Sequence, residues 1–71
     1  MPDYRHRVGA RIRAARLEAG LTQWDVAVLL EVQPVQISRW ENGRNMPSPR
    51  YLEALGEKLG VPAESFLRDD P

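Results

Sequence analysis

Nine of the ten cationic side chains in this 71-residue chain are arginines. Arginine's planar guanidinium carries a fork of N–H donors that suits phosphate oxygens and the edge of guanine. Seven of the nine (residues 5, 7, 11, 13, 16, 39 and 44) fall within residues 1–44, where Asp3, Glu18, Asp25, Glu31 and Glu41 leave a net charge of +2. Residues 45–71 carry −2, so a neutral chain has a basic half and an acidic half. A polyanion would be met by one side of the molecule and not by its total charge. Other chemistries lack their parts. There is no cysteine, and His6 stands alone, so no thiolate site, disulfide or histidine metal site is expected. No Ser/His/Asp constellation, paired carboxylates or Gly-rich phosphate loop is present. Neither an enzyme nor a cofactor nor a metal is expected. The longest apolar run, Val26–Leu30, is far short of the ~20 residues that span a bilayer. No secretory pattern opens the chain. The expectation is a cytoplasmic protein without membrane contact.

The elements that must position these side chains are short helices. Length allows one domain, 1–71, with a core at about 7–67, a loose arm at Met1–Tyr4 and a frayed tail at Arg68–Pro71. Val8, Ile12, Ala15 and Ala19 recur at helical spacing, predicting a first helix over 7–19 stopped by Gly20. Thr22 and Asp25 form a capping box for a second helix over 23–30. Pro34 opens a third, over 34–42, which Asn42-Gly43 ends. Ser48 caps and Pro49 opens a fourth, which runs to Leu59 and stops at Gly60. Pro62 opens a short fifth helix carrying Phe66 and Leu67. Trp40, Leu52, Leu55, Leu59 and Phe66 are assigned to the core. Only Glu31, Val32 and Gln33 separate the second and third helices, and so short a joint makes two helices cross steeply.

Gly20-Leu21-Thr22-Gln23, then Val26-Ala27, Leu30, Val32 and the run Ile37–Gly43 resemble the phage-repressor and Cro-type helix-turn-helix family, also called the xenobiotic-response-element family. Pro47-Ser48 and Leu59-Gly60-Val61 also fit, and the resemblance covers about residues 8–67. It implies an all-α, compact five-helix, lambda-repressor-like DNA-binding domain whose third helix enters the major groove. It implies phosphate contact by Gln23 at a helix N-terminus, with Thr22 beside it. Asn42, Arg44 and Asn45 fall where the family contacts the sugar-phosphate backbone, and Arg50 is assigned there too. Arg16 and Glu41 look like the family's structural ion pair.

The sequence departs from the family in the turn and in the third helix. Glu31 stands where Gly is usual, predicting a strained turn. The third helix begins Gln33-Pro34-Val35-Gln36, in which Pro34 has no N–H to donate and Val35 offers only apolar contact, for instance to a thymine methyl. Helical spacing puts Ile37 and Trp40 toward the core and Val35, Ser38, Arg39 and Asn42 opposite, with Gln36 on the flank. Base reading is assigned to Gln33, Val35, Gln36, Ser38 and Arg39, with Arg39 bidentate to guanine.

Trp24 and Val28 sit four residues apart where the family has polar residues. Either the arm with Tyr4 folds over them, or they form a partner patch. Three functions follow from these readings. The first is a sequence-specific transcriptional regulator of double-stranded DNA, a repressor. The second is the DNA-binding part of a two-protein system, such as an antitoxin or a restriction–modification controller. The third is a protein-interaction module with vestigial DNA binding. For the first, a homodimer on half-sites about 34–36 Å apart is expected. Its contact is placed near Lys58, Leu59, Val61 and Leu67.

Overall fold

Asp3 starts the first helix, earlier than the apolar spacing indicates. Its carboxylate accepts from the His6 backbone N–H at 3.0 Å and lies 2.8 Å from His6 Nδ1. In this computed structural model, which describes residues 3–68, helix α1 therefore spans Tyr4–Glu18. Tyr4 belongs to that helix and not to an arm. Met1 and Pro2 of the expected arm, and Asp69 to Pro71 of the expected tail, lie outside the described residues. Ala19 is the exposed C-cap and not part of the buried stripe. Leu21 N–H then closes back on Arg16 O at 3.1 Å.

Helix α2 spans Gln23–Leu30. The Thr22 hydroxyl accepts from Asp25 N–H and the Asp25 carboxylate accepts from Thr22 N–H, completing the capping box. Glu31 ends α2 in the left-handed region, at φ 58° and ψ 43°. A residue with a Cβ holds that conformation at a cost of about 1–2 kcal/mol, and the turn leads straight into α3, Pro34–Glu41. Asn42 is the C-cap of α3 and not its last residue. Helix α4 spans Pro49–Leu59, with Ser48 at the N-cap position but making no side-chain capping bond. The fifth element, Ala63–Leu67, is a 3-10 helix with Pro62 as its cap. Five residues close only a short i→i+3 ladder, so the described residues hold four α-helices and one 3-10 helix where five helices were expected.

Helix α1 packs on α3, α4 and the 3-10 helix, while α2 packs on α3 and α4. Ile12, Val26, Ile37, Trp40, Leu55 and Phe66 meet between them, all essentially inaccessible. Each such large side chain contributes about 1.5–3 kcal/mol by leaving water. Trp40, the largest, lies with its ring centroid 5.3 Å from that of Tyr51. Helix α1 reaches α3 closely because Gly9 has no side chain. A Cβ there would fall 2.3 Å from Trp40 O and 2.7 Å from Glu41 O. The backbones of α1 and the last turn of α3 are thus in direct contact.

Candidate nucleic-acid interface

The outer edge of α3 is the side left over once Ile37 and Trp40 are buried. Val35 is 52% exposed there and Arg39 is exposed, with Gln36 and Ser38 half-buried beside them. Gln33 precedes the helix on extended backbone, exposed and making no capping bond. The chain then turns back past α3. Gly43 takes a left-handed φ of 70°, and a Cβ on it would strike the His6 ring at 2.8 Å. That turn lets Arg44 N–H bond Arg39 O at 2.9 Å. Ser38, Arg39, Asn42, Arg44 and Asn45 consequently line one open concavity of about 410 Å3.

The concavity holds two arginines and no acid. Neither guanidinium bonds or pairs with any described residue. The nearest acid in sequence, Glu41, is turned inward and neutralised. Its Oε2 accepts from Arg16 Nε at 2.6 Å and its Oε1 from Arg16 Nη2 at 3.0 Å. Arg16 Nη1 also donates to Leu21 O at 2.8 Å. Both side chains are almost fully buried, and the bond to Glu41 holds the guanidinium's pKa above its ordinary value. Without that pairing a carboxylate would oppose any anion approaching α3.

Gln23 joins the same network, which its place at a helix start did not reveal. Its Nε2 donates to Glu41 Oε1 at 3.0 Å, tying the first turn of α2 to the last turn of α3. Its carbonyl oxygen and second N–H remain for other partners. Thr22 spends its oxygen as an acceptor for Asp25 N–H, leaving the hydroxyl hydrogen to give. The Thr22 backbone N–H in turn lowers the Asp25 pKa. On α3, Asn42 Nδ2 donates to Ser38 O at 2.9 Å and to Ser38 Oγ at 3.2 Å, so an expected base reader and an expected backbone contact are coupled. Arg50 stands apart at the start of α4, its guanidinium 5.8 Å from the Tyr51 ring centroid, and does not line the concavity. Gly9 was missed, although a glycine inside a helical pattern is itself a signal of close packing.

Of the two alternatives for Trp24 and Val28, a cover by Tyr4 is not found among the described residues. Tyr4 is held in α1 with the Arg7 guanidinium 5.5 Å from its ring, and Trp24 and Val28 are 66% and 64% exposed. No helix among the described residues is long and apolar enough to cross a membrane.

A short helix held by its apolar side after a three-residue joint, its free side flanked by cations that pair with no described residue, defines a helix-turn-helix module. The chain belongs to that family: the helix-turn-helix domain model matches residues 7–66. It is 38% identical over 60 residues to the HTH-type transcriptional repressor RghR of Bacillus subtilis, covering 83% of this chain and 44% of the repressor. Several other curated relatives are likewise matched over less than half their length. Among solved structures, the clp gene regulator ClgR of C. glutamicum superposes with a TM-score of 0.86 at 30% identity, covering 93% of this chain and 85% of that one. The P22 c2 repressor protein, solved in complex with a synthetic operator, gives 0.82 at 32% identity, covering 89% and 96%.

Proposed function

We propose that this chain is a sequence-specific transcriptional regulator, a repressor, which lays α3 in the major groove of double-stranded DNA. The observation that carries this reading is the acid-free concavity of Arg39 and Arg44 at the exposed edge of α3. Similarity to a repressor solved with its operator supports it. Arg39 takes guanine O6 and N7, Val35 takes a thymine methyl, and Gln33, Gln36 and Ser38 complete the reading. Thr22, Gln23, Asn42, Arg44, Asn45 and Arg50 hold the sugar-phosphate backbone and fix the register.

One such helix reads few base pairs, so two copies of a single 1–71 domain act on a two-fold site in the cytoplasm. Leu59, expected at the contact between copies, is in the core at 8% exposure; Leu67, at 38%, offers more surface at that end.

The test is selection of bound sites from a random DNA pool, followed by two variants. Arg39→Ala loses about 1–3 kcal/mol on the selected site and relaxes one base pair. Arg44→Ala weakens all sequences alike and lowers the salt slope by about one. Unchanged base preference in Arg39→Ala refutes the placement of α3.

A further inference from the structure

The outer side of α2 is an apolar ridge with an acidic border. Trp24, Val28 and Leu29 are all exposed there, Trp24 the most at 66%. Asp25 and Glu31 stand beside them, and α2 carries no cation at all. Reading the double helix gives this ridge no task, because none of the three side chains can neutralise a phosphate.

The opposite chemistry lies on the solvent side of α1. Arg7, Ala10, Arg11 and Ala14 line a shallow concavity of about 250 Å3. That is below the roughly 300–1,000 Å3 of small-molecule sites and on the scale of one large side chain. Arg13 is exposed on the same helix, and Leu17, 52% exposed, extends the apolar surface by one turn. Arg7 and Arg11 are engaged within the chain.

We propose that copies of this chain associate head to tail, the Trp24–Val28 ridge of one seated in the arginine-bordered concavity on α1 of the next. Apolar surface meets apolar surface, and the acidic border of the ridge, Asp25 and Glu31, meets the exposed Arg13 beside the concavity. One copy does not satisfy itself, since Trp24 and Val28 stay 66% and 64% exposed within it. The two surfaces differ, so the contact is heterologous and each copy keeps one of each free to extend the array. The interface is small, which makes it weak in free solution. On adjacent DNA sites it becomes an intramolecular contact and favours filling of neighbours. The association itself requires no DNA, so it stands or falls separately from the function proposed above.

The experiment follows the emission of Trp24, with Trp40 as a buried, constant background in every variant. Ala14→Glu keeps the ridge and blocks the concavity. Trp24→Glu keeps the concavity and removes the ridge. Both positions are exposed on helices, so helical circular dichroism stays at the wild-type level. Titrating Trp24→Glu into Ala14→Glu shifts the Trp24 emission to the blue and shields it from acrylamide. The double variant, added in its place, binds about tenfold more weakly or worse. Arg13→Glu in place of Ala14→Glu gives the same pattern. No shift with the concavity donor overturns the proposal and leaves the ridge to a different protein. An equal shift with the double variant overturns it too, because the contact then lies elsewhere.

Discussion

Replacing Arg16 by alanine isolates the cost of the buried pair. Three hydrogen bonds leave with the guanidinium: two to Glu41, at 2.6 and 3.0 Å, and one to Leu21 O at 2.8 Å. Glu41, with its side chain 2% exposed, is left with the Gln23 amide alone. Removing one member of a buried ion pair costs about 3–5 kcal/mol, because the other charge stays desolvated. A domain of this size has a net stability on the order of 3–5 kcal/mol, so Arg16→Ala is close to half unfolded at room temperature. At about 4–8 °C per kcal/mol, the fall in Tm is roughly 12–40 °C. The double variant Arg16→Met with Glu41→Leu removes both charges and keeps the volume. Apolar replacement of a whole buried pair is neutral or stabilising by about 1–4 kcal/mol, so the double variant regains most of the loss. The assay is thermal and urea unfolding of the three proteins by circular dichroism. Arg16→Ala melting with the wild type would refute the burial of the pair. A double variant no better than Arg16→Ala would show that lost packing, and not a stranded charge, sets the cost.

Three further outcomes are expected. Gly9→Ala gains about 1 kcal/mol of helix propensity, but its methyl meets the rigid carbonyls of Trp40 and Glu41. Overpacking of about 1–3 kcal/mol wins, and the urea midpoint falls; a rise would show that the two backbones are not in contact. Glu31→Gly relieves the left-handed residue and, after the unfolded-state entropy of glycine is subtracted, stabilises by about 0.5–1 kcal/mol; an unchanged Tm refutes the strain. Hydrogen bonds from the His6 side chain and then its backbone N–H hold the Asp3 carboxyl at about 2, below its ordinary 3.8. The folded-state value is depressed, so the support it gives α1 is present above the ordinary value and is lost as pH falls from about 4 through about 2. The His6 amide shift in NMR reports the loss, and a flat profile down to the lower pH contradicts it.

Much of this was legible in the residues because the cues are local. The Thr22/Asp25 box marked the start of α2 and Pro34 the start of α3, and Pro49 with Gly60 bounded α4. Spacing alone put Trp40 and Ile37 inside and Val35, Ser38, Arg39 and Asn42 outside. The misses share a physical reason. The start of α1 rests on a side-chain-to-backbone bond at Asp3, which hydrophobic periodicity beginning at Val8 does not register. The bond from Gln23 to Glu41 joins residues 18 apart, and the contact of Gly9 with α3 depends on how two helices cross. Arg44 comes beside Arg39 only because Gly43 turns the chain through a left-handed residue. The last element lies where the short fifth helix was expected, but as a 3-10 helix with Pro62 as its cap.

The bond between Gln23 and Glu41 also bears on how tightly a phosphate would be held at α2. A free glutamine side chain samples many rotamers, and fixing one on association costs about 0.5–1.5 kcal/mol of conformational entropy. Here the folding of the chain has already selected the rotamer, because Glu41 Oε1 holds Nε2 at 3.0 Å. The amide plane is set and its second N–H direction is fixed before any partner arrives. Glu41, itself immobilised by Arg16, serves as the anchor. Under the proposed function the buried ion pair thus gains a second use: it stores in the fold an ordering cost that a freely moving side chain would meet at each encounter with DNA.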